Sequence, residues 1–401
     1  MKRNLLIFIL LIIALGIMLV LALYVPNSLP VNSDFSALYN TDLALVNSIP
    51  IYDLPAVESL AVRASGIPPE KFFLARFPYP PWYALGTFYL GWLPSKAAAT
   101  LWFELNLVML FFSVWFLTDG WPPRLRLITF PLALFFLPVL GALSVGQYDF
   151  PALLGTSILI YSFRKQNIAL TTLGAVLLTF KPHIGALVLL WALIHLVLRG
   201  ANYGWRALRS ILVMGVFLFI AGFIADSAWP VNYPKMLLNY QNEGNVTACS
   251  ECASLPVWLS RWFFDGSLTK AAGIAVVLLI ALVLAFSLNG NMLLRSPALL
   301  LTSALVITLL VSPYLYNYDF ILLLVPFAVL INSNVDIPGR IIVIACYLVP
   351  TFVIAMWGRP GNISLIIVAL VLVLLLYLSA KKRALTLLPI EHKIEPIKYD
   401  R

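Results

Sequence analysis

Charge is what this sequence is short of. Only 11% of its 401 residues are charged, 17 acidic against 26 basic, and it holds three histidines and three cysteines. Soluble domains carry roughly 25% charged residues, so a large water-soluble core is excluded. Three cysteines cannot build a disulfide scaffold. Cys346 lies in an apolar run and reads as inert packing. Cys249 and Cys252 form one Cys-x-x-Cys with no second pair or nearby histidine, which argues against zinc and for a loop disulfide if the surroundings are oxidising. No Walker motif, Gly-rich dinucleotide fingerprint, His-Glu-x-x-His or Gly-x-Ser-x-Gly occurs. ATP-driven work and nicotinamide chemistry are therefore not indicated, and no cofactor or metal is expected. Any activated donor is expected to be lipid-borne and reached from within the bilayer.

What is abundant is hydrocarbon: 62% of the residues are hydrophobic. A membrane-crossing helix needs about 20 apolar residues, with a range of roughly 17 to 25. Candidate spans lie near 4–24, 97–118, 127–142, 148–163, 168–180, 184–198, 207–225, 269–288, 297–311, 316–331, 340–357 and 362–380. The expected architecture is thus an all-α polytopic membrane protein, one domain over 1–401, with about twelve spans. The first run has no small-x-small cleavage site after it and reads as a retained span, not a signal peptide. Residues 81–93 are too short to cross and read as a re-entrant or half-spanning piece.

Sidedness follows from the basic residues. With both termini cytoplasmic and 81–93 not crossing, the inner segments collect 17 of the 26 Lys and Arg, including the 381–401 tail, against five carboxylates. That is the bias the positive-inside rule demands, and it accounts for the net charge of +9 without nucleic acid. The same arrangement puts the loops 25–81 and 226–268, with every polar motif below, on the extracytoplasmic side of a cell membrane. A bacterial plasma membrane is the expected setting.

The loop 25–81 concentrates Asp34, Asp42, Asp53, Glu58 and Glu70, five of the 17 carboxylates. Asp34 opens an amphipathic stretch, 34–48, where it either caps the helix or acts as a general base at the membrane surface. Asp42, about two turns on, and Tyr39 are further candidate contacts. Asp53, Glu58 and Glu70 read as solvated surface. In Phe77-Pro78-Tyr79-Pro80-Pro81-Trp82 the prolines fix an extended turn that presents Tyr79. Arg76 before it either meets a phosphate or snorkels to head groups. Gly146-Gln147-Tyr148-Asp149 places Gln147 and Asp149 in a tight apolar hairpin, costly unless they face a wet cavity or each other. Lys181-Pro182-His183 breaks an apolar run; a cation at a helix start is a candidate anion site, with a satisfied core histidine as the bland alternative. Tyr316, Asn317 and Asp319 form an aromatic and polar turn suited to a sugar or to an interfacial belt. Arg359 is a further candidate phosphate contact. Asn245-Val246-Thr247 is a glycosylation sequon, relevant only in a eukaryotic cell.

In this order, Asp34-Phe35 with Tyr39, Ile51-Tyr52-Asp53, Tyr79-Pro80-Pro81, Leu101-Trp102 with Asn106, Gly146-Gln147 and Lys181-Pro182 resemble glycosyltransferase family eighty-seven. These are GT-C-type enzymes that use polyprenyl-phosphate mannose. The resemblance covers about residues 30 to 190. It implies a GT-C-like fold and an inverting hexosyl transfer, mannosyl by expectation, from a polyprenyl-phosphate sugar to a lipid or glycan acceptor outside the cytoplasm. Asp34 matches the family's essential aspartate. Lys181, His183, Arg76 and Arg359 are the candidates for the donor phosphate. Two departures stand out: Tyr148-Asp149 where the family has a small polar residue, and only Ser254-Leu255 left of a stretch in the large external loop. A transporter or flippase of a lipid-linked solute is the rival reading, favoured by the proline-broken spans and by Glu104 inside a span. A non-catalytic assembly factor is the third.

Overall fold

In hydrocarbon every backbone N–H and C=O must be satisfied within the chain, which leaves helices for a sequence with these apolar runs. The computed structural model describes residues 2–29, 33–242, 296–312 and 315–332 and the isolated positions 256, 259, 260, 273, 341, 343, 344, 347 and 348. Among these residues only helix and turn occur, with no strand. The α-helices are α1 (Lys2–Ser28), α2 (Asp34–Val46), α3 (Leu54–Ser65), α4 (Pro81–Thr87), α5 (Ser95–Leu117), α6 (Pro123–Phe135) and α7 (Leu137–Val145). They continue as α8 (Asp149–Lys165), α9 (Ile168–Thr179), α10 (Pro182–Arg199), α11 (Ala201–Ala225), α12 (Trp229–Asn242), α13 (Pro297–Val311) and α14 (Leu324–Asn332). A 3-10 segment, Asn317–Leu323, leads into α14.

The described residues do not support a count of about twelve spans. Among the described residues four helices are long and apolar enough to cross a membrane: Leu11–Ser28, Ser95–Leu117, Pro182–Arg199 and Asn202–Ala225. A fifth arises if α6 and α7, bent by 59° at their junction, count as one. The runs read as spans at 168–180 and 297–311 are helices of 12 and 15 residues. At 1.5 Å per residue they reach about 18 and 23 Å, short of a hydrocarbon core of about 30 Å. The expected span at 362–380, the loop at 243–255 and nearly all of 269–288 and 340–357 lie outside the described residues.

Burial divides the apolar helices into two kinds. In α8 thirteen of the seventeen residues are buried, so its apolar surface faces protein. In α11 only 11% of the span window is buried, and its Leu, Val and Phe side chains point outward. A hydropathy pattern treats the two alike, because a helix hydrophobic all round is either buried or lipid-facing. The piece 81–93 is a seven-residue helix, α4, followed by a 3-10 turn, Phe88–Trp92.

Two glycine sites draw helices close. Gly155 of α8 and Gly174 of α9 face each other, and a Cβ on either would lie 2.8 or 2.9 Å from the other's carbonyl oxygen. Gly146 ends α7 in the left-handed region at φ +69°, and a Cβ there would meet the Phe35 Cβ at 2.6 Å. Its carbonyl accepts a hydrogen bond from Trp102 Nε1 of α5 at 2.9 Å. Gly146 thus lets α7 stop, turn and rest against α2 in a single residue. Gly146→Ala combines left-handed strain with overpacking, and is expected to cost about 2–4 kcal/mol. A thermal unfolding curve in detergent checks this; an unchanged midpoint contradicts the packing described.

Candidate active site

Four helical segments begin at one place. Asp34 is the first residue of α2, Asp149 the first of α8, Lys181 the residue before α10, and Asp319 the third residue of the 3-10 segment. Helix starts leave unpaired N–H groups and a positive dipole end, which stabilises carboxylates there. Asp319 uses this directly, since its Oδ2 accepts the Tyr316 backbone N–H at 2.6 Å. Lys181 is the exception, a cation at a helix start. Its ammonium donates to Asp149 Oδ1 and Asp319 Oδ1, each at 2.6 Å, and all three side chains are buried. Two carboxylates around one ammonium compensate what the dipole and burial disfavour.

Asp34 lies beside this clamp. Ser33 takes the N-cap position of α2 without a capping bond; its hydroxyl turns back to the Leu29 carbonyl. The Asp34 side chain does not cap either. Its Oδ2 accepts Gln147 Nε2 at 2.6 Å, and Gln147 Oε1 accepts the Tyr148 N–H at 2.9 Å, so the amide orientation is fixed from both ends. The Tyr148 hydroxyl donates to the Asp34 backbone carbonyl. Burial raises the Asp34 carboxyl above the ordinary range, Lys181 and the Gln147 bond pull it back, and Asp319 adds to the rise. An aromatic wall stands behind: Tyr79 and Tyr148 are 4.7 Å apart centroid to centroid, Tyr83 stacks on Phe180 at 4.6 Å, and Phe77 and Trp102 complete it.

Two polar atoms in this cluster lack a partner, the Tyr83 hydroxyl and one carboxylate oxygen. Asp149 Oδ2 is buried and makes no hydrogen bond, while its Oδ1 is spent on Lys181. A buried carboxylate oxygen left so is costly, and a hydroxyl donor is what it lacks.

The structure brings together Asp34, Gln147, Asp149, Lys181 and Asp319, with Tyr79 and Tyr316 alongside. It does not bring in Asp42. Eight residues on, and about 12 Å along the helix axis, Asp42 is fully buried against α4, with Oδ1 on Thr87 Oγ1 at 3.1 Å and Oδ2 unpartnered. Burial holds its carboxyl well above the usual value. The Tyr39 hydroxyl donates to the Leu93 carbonyl at 3.0 Å, a packing bond. His183 is exposed on the first turn of α10, and Arg76 is half-buried in the stretch before Phe77. Asn317 opens the 3-10 segment, and Arg359, Cys249 and Cys252 lie outside the described residues. Asp53 caps α3 through the Ala56 N–H at 3.3 Å, in keeping with a surface role. Tyr148, Trp102 and Phe180 were not singled out for the site. Tyr148 carried a signal as a departure from the family pattern beside Gln147, whereas Phe180 had only its position beside Lys181. Among the described residues no three His, Cys, Asp or Glu side chains gather to cage a metal ion.

An all-helical chain with membrane-length helices and a buried cluster of carboxylates at their starts fits an enzyme working on a membrane-borne substrate. A family model described as Glycosyltransferase family 87 matches residues 77–313, more than half of the chain. The chain belongs to this family and is a membrane glycosyltransferase, which favours the enzyme over the transporter reading. The matched stretch holds Tyr79, Gln147, Asp149 and Lys181, whereas Asp34 and Asp319 flank it. No curated protein matches the chain significantly.

Removing Lys181 leaves two buried carboxylates facing each other. Lys181→Met is therefore expected to destabilise the protein by about 3–5 kcal/mol, and Asp319→Asn in that background is expected to restore part of the loss. Additive losses in the double variant, measured by detergent unfolding, would show that the ion contacts do not couple.

Proposed function

We propose that the chain transfers a hexose, mannose by its motif resemblance, from a polyprenyl-phosphate sugar to a lipid or glycan acceptor, with inversion and on the extracytoplasmic side. Asp34 is the general base. The observation that carries this reading is the Asp34 carboxylate, oriented by Gln147 and standing beside the Lys181 clamp at a helix start. Asp34 takes the proton of the acceptor hydroxyl while that oxygen bonds to the anomeric carbon. The bond from that carbon to the phosphate oxygen breaks, and its electron pair leaves on the polyprenyl phosphate. The proton ends on the Asp34 carboxyl and passes to solvent when product departs.

The donor phosphate is met at the start of α10. Two of the three N–H bonds of the Lys181 ammonium go to Asp149 and Asp319, and the third is left for a phosphate oxygen. His183 on the first turn, Arg76 and Arg359 are the further candidates. Asp149 Oδ2 is the acceptor for a sugar hydroxyl, which supplies the missing bond. Tyr79, Tyr316, Asn317 and Asp319 line the sugar's other side. Lys181 is then a neutralised positioning cation with one N–H to spend, so the leaving group receives a hydrogen bond without a large net positive field.

Asp34→Asn keeps the shape and the Gln147 contact while removing the base. It is expected to lower kcat by about 10²–10⁴-fold with little change in unfolding midpoint, assayed with polyprenyl-phosphate mannose in detergent or bilayer discs. Turnover near that of the unaltered protein would remove Asp34 from this role. The pH profile is a second check. A base raised by burial is deprotonated only above its raised value, so kcat/KM is expected to fall on the acid side at a pH above that of an ordinary aspartate. Gln147→Leu removes a contact that favours the charged form, and is expected to move that limb to still higher pH. A shift toward lower pH would contradict the assignment.

A further inference from the structure

Far from the carboxylates lies a second feature. Trp102, which bonds to Gly146 beside the site, and Leu117 are separated by fifteen residues of α5, so the far end of that helix stands about 22 Å away along its axis. There a cavity of about 250 Å³ lies between α5, α6 and α14, lined by Leu117, Ala133, Leu324, Phe327 and Ala328 and closed on one side by Tyr347. Its wall is almost wholly apolar. Water inside would find too few partners, and a void forfeits dispersion contacts on every wall. In a membrane-spanning protein the material at hand to fill it is hydrocarbon chain.

The rim is polar and basic. Thr118 and Trp121 line the cavity, and the Thr118 hydroxyl accepts Arg126 Nε at 3.3 Å. The Arg126 guanidinium lies 3.7 Å from the Trp115 ring centroid and also donates to the Trp115 carbonyl at 2.8 Å. These contacts fix its plane and leave other N–H groups of the fork free to bond. Arg124 is exposed two residues earlier. Arg164 and Lys165 reach the same turn, at 3.7 and 3.4 Å from Asp119. Two cations, Arg164 and Lys165, therefore meet the Asp119 carboxylate, while Arg126 stands beside the apolar slot bonded to neutral groups.

We infer that this end of the bundle binds an anionic phospholipid, one acyl chain in the cavity and its phosphate at Arg126. The site lies at the opposite end of α5 from the proposed catalytic cluster and does not depend on that assignment. The excess of cations over carboxylates selects the charged head group over a zwitterionic one, and the apolar wall requires an attached chain, which separates this from a site for free phosphate.

The test uses the full chain, delipidated in mild detergent and then offered phosphatidylglycerol, phosphatidylcholine or inorganic phosphate, with retained ligand counted by native mass spectrometry. Phosphatidylglycerol is expected to be held at least about fivefold better than phosphatidylcholine, the factor that one basic contact to an anionic lipid supplies. Inorganic phosphate is expected not to be retained. Arg126→Gln is expected to remove most of that preference, and Ala133→Trp, which fills the slot, to reduce retention of both lipids. Should Ala133→Trp fail to fold, Arg126→Gln still decides the matter. Equal retention of the two lipids, retention of free phosphate, or a preference unchanged in Arg126→Gln overturns the inference. So does displacement of phosphatidylglycerol by an equimolar polyprenyl phosphate, which would make the slot part of the donor's path.

Discussion

The shared ammonium of Lys181 is the contact on which the site depends. Among the described residues it is the one cation bonded to these carboxylates, and it ties the start of α8, the start of α10 and the 3-10 segment before α14 together at 2.6 Å on each side. Each partner is separately fixed: Asp149 as the first residue of α8, Asp319 by the Tyr316 N–H, Lys181 by Pro182 behind it. Buried ion pairs of this kind contribute little net stability, because desolvation offsets the attraction, but breaking one partner away is expensive. That asymmetry specifies geometry. Three helical segments far apart in sequence are held in one register, and Asp34 is set beside them by Gln147, two residues before Asp149.

The electrostatic outcome is unlike a simple anion hole. Asp34, Asp149 and Asp319 surround a single ammonium, and the helix starts beneath them supply the rest of the positive potential. Polar groups in such a site are useful only if satisfied or waiting for a partner. The free Asp149 Oδ2 is of the second kind. The aromatic wall of Tyr79, Tyr83, Tyr148 and Phe180 excludes water, which strengthens each of these contacts.

Much of this was readable in the sequence, for a physical reason. A chain with so few charges keeps polar residues where they are satisfied or used, and the breaks at Gly146–Asp149, Lys181–His183 and Tyr316–Asp319 are where helices begin. The clamp itself was not readable, because its partners stand 32 and 138 residues from Lys181 and no local periodicity links them. The burial of Asp42 was not readable, because position along α2 says nothing of the α4 wall that covers it. The runs at 148–163, 168–180 and 297–311 are helical where expected, but at 17, 12 and 15 residues they do not reach the length of the four membrane-length helices. Helix positions fared better: α1, α5, α10 and α11 fall where the long runs lie.

Covalent transfer of a sugar at this cluster is decided by following the sugar. The purified chain in bilayer discs is incubated with polyprenyl-phosphate mannose labelled in the hexose, together with membrane-extracted acceptors. The label is expected to move into a new glycoside of inverted anomeric configuration while free polyprenyl phosphate appears in equal amount. Label that remains on its original lipid while protein and donor are intact would contradict it.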